Sequence, residues 1–466
     1  MIISHHYTNL LEKILKNTIN SNFKIEHFDD YISLCSNLES SIFKFVRDSI
    51  VKFFEQIDLT YKNSVDRKKE LYCKGKYRRT LITIFGEISF ERHYYTPKDG
   101  GESFFFLDKL LSLPKYDNYD YIVKGLLMEK LASSTYAKAA KDVSELISNR
   151  DDKKINISRQ EVFFIFKNFE LDPPSEIFDK YISSEVLYII LDEKYIHSKD
   201  KNKDNKKTSF MAKHAVIYTG KSLVSKNRFK LDNKAVLSSV DSSYEFSKDI
   251  SDFIYNNYEI DNIKHIIISG DGASWIIDVY DSISTVNLIE KTFVLDVFHT
   301  HQAINRITTD KEERNTLRNY LKINKKKSFK EFSNSILSKT PERLEKIINN
   351  TNYILNHWRK IQNAKNKLFI GCPMEAHISH DMAKRFSRDP KAYSPNYISK
   401  HLKLNDCNLN NIDIYKLYIE SKAINTNEFN QLDLSIFNTY HSNIPVFESN
   451  SREFKLHMDT LCGIRY

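Results

Sequence analysis

The spacing of apolar and polar positions changes character along the chain. Near the amino terminus Leu10, Leu11, Ile14, Leu15 and Ile19 recur at helical intervals. From Arg79 to Arg92 the rhythm becomes twofold and predicts two short strands about a turn at Gly86, with a break at Gly100-Gly101. Helical periodicity returns between Tyr121 and about Phe169. There Ser133–Val143 reads as a short helix, and Ser158 sits where a capping residue would start another. Short helix, polar connection and capped second helix fit a helix-turn-helix DNA reader and, equally, a plain helical hairpin. Pro173-Pro174 marks a boundary.

Beyond the prolines the pattern becomes α/β. Val186–Leu191 is an apolar strand ending at Asp192, and a charged loop from Lys199 to Lys207 leads to a second strand at His214–Tyr218. A third strand is placed at Ala235–Leu237, and a helix spans Ser242 to Tyr258 with Phe246, Ile250, Phe253 and Ile254 on one side. His265–Ile268 is a fourth strand running into Asp271, followed by a helix from about Ala273 and a fifth strand at Thr292–Leu295. Helical sequence then continues to Lys367, and an apolar stretch at Leu368-Phe369-Ile370 precedes Glu375. The divisions expected are 1–115 (helical with a small β-hairpin), 116–180 (helical, DNA-binding), 181–310 (catalytic core, first part), 311–367 (basic helical insertion), 368–395 (last core helix) and 396–466.

Composition narrows the class. At 466 residues and 41% hydrophobic the chain can bury a sizeable core. No apolar run reaches membrane-spanning length and no signal peptide is legible, so a soluble, cytoplasmic, nucleoid-associated protein is expected. Five scattered cysteines without a Cys-x-x-Cys pair argue against a disulfide framework. The net charge of +9 is modest, but Lys311–Lys367 holds 15 Lys/Arg against 5 Asp/Glu, a local net of +10. A basic segment in an otherwise neutral protein suits phosphate neutralisation, and Lys325, Lys326 and Lys327 are its densest run. A solvated helical face is the plain alternative.

The order of elements, three strands, helix, strand, helix, strand and helical material, is that of an RNase H-like fold. In such a sheet the first and fourth strands are neighbours. Asp192 and Asp271 would converge there, and Glu375 would close the site from a helix. Three carboxylates suit two Mg²⁺ (or Mn²⁺) ions, because in-line displacement at phosphorus needs one oxygen activated and another stabilised. Each residue alone also has a plain reading: Gly270-Asp271-Gly272 as a turn, Asp192 as a strand end, Glu375 as a solvated helix residue.

At this point the chain resembles the ISLre-type insertion-sequence transposases, a DDE group allied to the Mutator-like transposases. The resemblance is carried by Thr80–Tyr95, the strand ending at Asp192, Gly270–Trp275, Leu295–His299, and Met374–His380 with Arg385 and Ser387-Arg388 behind it. It implies Asp192, Asp271 and Glu375 as the metal-binding triad, with a helical insertion between the last two. It further implies that Asp296–His299 is the (C/D)xxH element, with His299 near the scissile phosphate. Relatives usually carry glycine after the first Asp, where this chain has Glu193, and glycine after the Glu, where it has Ala376.

The function expected is therefore metal-dependent cleavage and strand transfer of transposon DNA by a homodimer or higher oligomer. An RNase H-like nuclease, or a co-opted DNA-binding copy without catalysis, remains open beside it. Trp275 is either core or a stacking surface for a flipped base, and Arg385 and Arg388 are candidate phosphate contacts. The spacing of His299, His301, Cys372, His377 and His380 gives a zinc site little support.

Overall fold

The computed structural model describes residues 27–151, 153–201, 205–226, 228–283, 289–372, 377–387 and 392–427. The helix expected at Leu10–Ile19 lies outside them. Residues 27–127, 140–158 and 419–427 belong to one unit, and 128–139 with 159–418 to another.

The first unit is organised by α1 (Phe28–Asn63), followed by α2 (Val65–Glu70), β1 (Leu71–Thr83), β2 (Gly86–Pro97), β3 (Phe104–Phe105) and α3 (Phe106–Leu110). The turn at Gly86 is present with φ +117, a backbone state that favours glycine, and the strands on either side are longer than the alternation alone suggested. Leu81, Ile88 and Phe90 pack under Ile50, Val51 and Phe54 of α1. Buried charges here are paired: Arg79 and Arg92 both reach Asp108, at 2.7 Å each. α4 (Tyr121–Ser133) and α5 (Tyr136–Ser148) follow. Residues 149–158 separate α5 from α6 (Arg159–Lys167), a longer link than the tight turn of a helix-turn-helix motif.

The second unit is a mixed α/β assembly. Its strands are β4 (Val186–Lys201), β5 (Lys207–Tyr218), β6 (Gly220–Ser225), β7 (Arg228–Asp232), β8 (Ala235–Ser239), β9 (His265–Gly270) and β10 (Glu290–Leu295). Five form one sheet in the order β10-β9-β4-β5-β8. β4, β9 and β10 run parallel, while β5 is antiparallel to both β4 and β8. Of the stretch expected as a charged loop at 199–207, residues 199–201 and Lys207 belong to strands, and β4 pairs antiparallel with β5 over most of its length. β6 and β7 make a separate hairpin that periodicity did not reveal.

Alternation along the strands sends side chains to two faces. Leu187, Ile189, Leu191, Ile266 and Ile268 pack against α7 (Ser243–Asn257) and α8 (Ser274–Ser282). α7 begins with a capping box between Ser242 and Glu245. Tyr188, Ile190, Ile267 and Val294 face the other way and are covered by Leu368, Phe369 and Ile370, an apolar stretch that is not itself a strand.

After β10 the chain enters α9 (Val297–Ile307), α10 (Lys311–Lys322), α11 (Lys326–Lys339), α12 (Leu344–Asn356) and α13 (Trp358–Gln362). These helices share a core of Ile304, Leu317, Phe329, Ile336, Ile354 and Trp358, so the basic segment is folded helix with its own apolar core. A π-helical turn (Ile378–Ala383), α14 (Lys384–Phe386), α15 (Pro395–Leu409) and α16 (Ile414–Asn427) complete the described chain. Among the described residues no helix is long and apolar enough to cross a membrane.

Candidate active site

Strand register brings the acidic positions together. Ile190, Ser269 and Val294 occupy one row across three adjacent parallel strands. Two residues further along each chain stand Asp192, within β4, and Asp271 and Asp296, just past the ends of β9 and β10. The close approach requires Gly270: a Cβ there would stand 2.9 Å from the Leu191 carbonyl oxygen and 2.9 Å from Ile276 Cδ1.

Each acidic side chain is held differently. Asp192 lies within β4, where its Oδ1 accepts the Glu193 N–H at 2.8 Å. Asp271 follows β9 and turns the chain into α8, accepting the Ala273 N–H at 2.8 Å. Gly272 takes φ +84 to complete that turn. Asp296 is buried, caps α9 through the Phe298 N–H at 3.0 Å, and ties back to β9 by its own N–H to the Gly270 carbonyl at 2.9 Å. α12 of the insertion reaches the same place: Tyr353 donates its hydroxyl to the Asp271 carbonyl at 2.6 Å.

The electrostatics follow from this crowding. Burial first, and then the negative charges of Glu193 and Asp271, push the Asp192 carboxyl up to about 6, against the Glu193 N–H and the nearby His299. Glu193 is raised chiefly by burial, offset by its bond from Trp275. His299 stands 3.8 Å from Asp296 Oδ2 and close enough to Asp192 and Glu193 to draw both carboxyls down. Hard carboxylate oxygens gathered on one side of a sheet suit a divalent cation better than a soft metal. Among the described residues no three His, Cys, Asp or Glu side chains converge as a complete metal-binding group. Glu375, the expected third carboxylate, lies outside the described residues, as does Arg388.

Two residues put forward for DNA turn inward. Trp275 is 6% exposed, packs in the core beside Phe246, and donates its indole N–H to Glu193 at 2.8 Å. A ring so enclosed has no face for a base, so the core reading replaces the stacking one. Arg385 is likewise 6% exposed. Its guanidinium is committed to the Tyr393 hydroxyl at 2.6 Å and to the Leu131 and Ala132 carbonyls at 3.3 Å, which removes it as a surface phosphate contact. Lys325, Lys326 and Lys327 are exposed at the start of α11.

Several participants were not legible in the sequence. Glu193 stood out there only as a departure from a pattern; in the structure it is a half-buried member of the acidic group. Tyr353 carries no local signal at all. A buried polar network also escaped notice. Asp381 accepts from His377 at 2.8 Å and lies 3.4 Å from Lys234, which with His214 holds its carboxyl far below the usual range despite burial. His214, fully enclosed on β5, pairs with Ser238 at 2.9 Å. His214 stands directly opposite Asp192 in the β4–β5 register, so the network flanks the acidic group, and through Asn405 to the Asp381 carbonyl and Ser238 to Asp406 it braces α15 against the sheet.

Fold and site together define a mixed α/β protein with carboxylates at the carboxyl ends of β9 and β10 and beside them on β4. The chain belongs to the Uncharacterised protein family (UPF0236), whose profile matches residues 29–422. A UPF0236 protein of Caldanaerobacter subterraneus subsp. tengcongensis is 25% identical over 430 residues, covering 90% of this chain and 85% of its own, and its name gathers eleven loci. A second from that organism is 27% identical over 432 residues, covering 89% and 88%, and gathers four loci. A UPF0236 protein from the vanSb 3′ region of Streptococcus gallolyticus is 26% identical over 359 residues, covering 73% of each chain.

Proposed function

We propose that this protein is a DNA transposase of the DDE class, built on an RNase H-like core, which cleaves and rejoins the ends of an insertion sequence. The observation that carries the reading is the register row: Asp192 on β4 and Asp271 just past the end of β9 each stand two residues beyond the paired Ile190 and Ser269 of adjacent parallel strands, near enough for the charge of Asp271 to act on Asp192, in a sheet of order β10-β9-β4-β5-β8. Fold alone does not assign chemistry. The acidic end, the basic helical insertion whose Tyr353 reaches Asp271, and the resemblance of the five sequence stretches all lean the same way. Relatives whose single name covers many loci in one genome also suit a gene that multiplies by moving.

Asp192, Asp271 and, from outside the described residues, Glu375 would hold two divalent cations, Mg²⁺ or Mn²⁺. Their chemistry when bound is to activate the attacking oxygen and stabilise the leaving one at phosphorus. The protein's own residues supply position. Gly270 keeps β9 against β4, the Tyr353 hydroxyl fixes the Asp271 turn, and Trp275 holds Glu193 beside Asp192. Asp296 caps α9 and sets the His299 ring at the acidic group, where its N–H can bond a phosphate oxygen. No protein nucleophile is needed, since water and then a DNA 3′-hydroxyl attack.

The purified protein, incubated with Mg²⁺ or Mn²⁺ and labelled duplexes carrying the DNA that flanks its gene, tests the reading. Cleavage at an end followed by joining to a second duplex is the expected result. Cleavage without joining would make it a nuclease, and binding without metal-dependent cutting would make it a co-opted DNA-binding protein.

A further inference from the structure

Beside the acidic group, where β10 passes into α9 and meets α10 and α13, lies a cavity of about 190 Å³. Its floor includes Leu295 and Ile361, and its polar lining includes Arg318, Lys322, Lys365 and His301. Leu295 is the residue before Asp296, so the cavity opens at the carboxyl end of the strand next to that of Asp271. In sheets with parallel strands this end is where ligands bind. α9 serves both places: His299 turns to the carboxylates, whereas Val297 and His301, four residues apart and so on one face, line the cavity.

The described lining is basic, and the Asp296 carboxylate acts on it through His301. Arg318 is held by neutral acceptors, Asn305 Oδ1 at 3.2 Å and Asn315 Oδ1 at 3.5 Å, and among the described residues its buried Nε has no hydrogen-bond partner. Lys365 bonds the Gln362 carboxamide at 2.5 Å. No carboxylate is among the lining residues. The terminal guanidinium nitrogens meet neutral carboxamides and no carboxylate among the described residues, so the Arg318 charge is available to an anion. The volume is that of roughly six water molecules at ~30 Å³ each, enough for a phosphate with part of a sugar and short of an ordinary drug-sized ligand. Arg supplies a planar fork that matches phosphate oxygens bidentately, and Lys322 and Lys365 supply the remaining charge.

We propose that this cavity is a phosphate-binding site, and that it takes a backbone phosphate of the DNA strand whose neighbouring bond lies at the carboxylates. The source named, DNA, rests on the function proposed above; the phosphate chemistry does not. A strand held at Arg318 on one side of α9 would be presented to Asp192 and Asp271 on the other, making Arg318 a positioning residue.

The test measures the full-length protein, with Arg318→Gln, Arg318→Lys and Lys322→Ala beside it, for binding of a labelled duplex across a salt series and for thermal protection by inorganic phosphate or deoxyadenosine monophosphate. Phosphate should protect the parent and not Arg318→Gln. Duplex affinity should fall about tenfold in Arg318→Gln, with a salt slope shallower by about one. Arg318→Lys should keep part of the affinity, and Lys322→Ala, at an exposed position, keeps the test valid should Arg318→Gln fail to fold. Unchanged duplex affinity and slope in both Arg318→Gln and Lys322→Ala would overturn the site while leaving the transposase reading standing. Protection by phosphate through Arg318 in a parent that binds no duplex would confirm a free-phosphate site and overturn its DNA source. Equal protection by a dicarboxylate such as succinate would overturn phosphate as the ligand.

Discussion

The indole N–H of Trp275 donates to the Glu193 carboxylate at 2.8 Å, joining the helix after Asp271 to the residue after Asp192. The bond gives a buried donor its partner and holds a second negative charge beside Asp192. Glu193→Gln keeps an acceptor and removes the charge, so stability should stay near that of the parent. Glu193→Ala orphans the indole and should cost about 1–3 kcal/mol. Urea unfolding followed by tryptophan fluorescence separates the two, and equal loss in both variants would show that the hydrogen bond is not what Glu193 contributes.

Gly270 is needed for contact and not for turn geometry. An alanine Cβ would meet the Leu191 carbonyl oxygen and Ile276 Cδ1, both at 2.9 Å. Gly270→Ala should therefore destabilise by about 1–3 kcal/mol through overpacking, and should lower metal-dependent cutting beyond what the loss of folded protein explains. Melting temperature and cutting rate measured on the same preparation check this. A variant as stable and active as the parent would refute the close packing of β9 on β4.

Tyr353 ties the helical insertion to the acidic end through one hydroxyl. Tyr353→Phe removes the bond to the Asp271 carbonyl and nothing else of the ring, so the stability cost should be only about 0.5–1.5 kcal/mol. The expected effect on cutting is larger, a loss of roughly tenfold, because about 1.4 kcal/mol of misplacement at the transition state is a factor of ten. Cutting at the parental rate would mean that the insertion does not steady Asp271.

His401 gives the fold a pH dependence of known sign. Its ring lies buried against Phe166, with Nε2 at 2.9 Å from the Tyr136 hydroxyl. Burial, joined by the positive charges of Arg385, Lys199 and Lys400, holds it down at about 3 from an ordinary 6.5. Between those values the unfolded chain binds a proton that the folded chain refuses. The stability given by the neutral ring is thus complete above about pH 6.5 and is lost as pH falls toward 3. Urea midpoints between about pH 6.5 and 4 should decline less steeply in His401→Gln than in the parent, by up to about 1.4 kcal/mol per pH unit. Parallel declines would remove His401 as the source.

What could be read from the sequence was what repeats locally. The apolar runs at Val186–Leu191, His265–Ile268 and Thr292–Leu295 showed where β4, β9 and β10 lie, and an Asp after two of them pointed to the acidic end. Their register could not be read, because parallel pairing is set by packing across the sheet and not by neighbours in the chain. Ser238 and Asp406, bonded at 2.8 Å and 168 positions apart, show the same limit. Trp275 stayed open between core and stacking, and Arg385 was placed at the surface, for a related reason: a residue type common at nucleic-acid surfaces is also common in cores, and only burial tells them apart. The β6–β7 hairpin escaped because Leu223, Val224 and Phe229 are exposed, so no buried face imposed a period.

If the protein is the transposase proposed above, Asp271 serves chemistry and not folding. Its carboxylate accepts only the Ala273 N–H among the bonds described, and Asn at this position retains that acceptor. The decisive measurement is the Mn²⁺-dependent cutting rate of Asp271→Asn against the parent, on a labelled duplex bearing the DNA that flanks the gene. Melting temperature and duplex affinity are measured on the same samples. The expected loss in cutting is at least about a hundredfold (about 2.7 kcal/mol at the transition state), with both controls unchanged. Cutting at the parental rate by Asp271→Asn would contradict it.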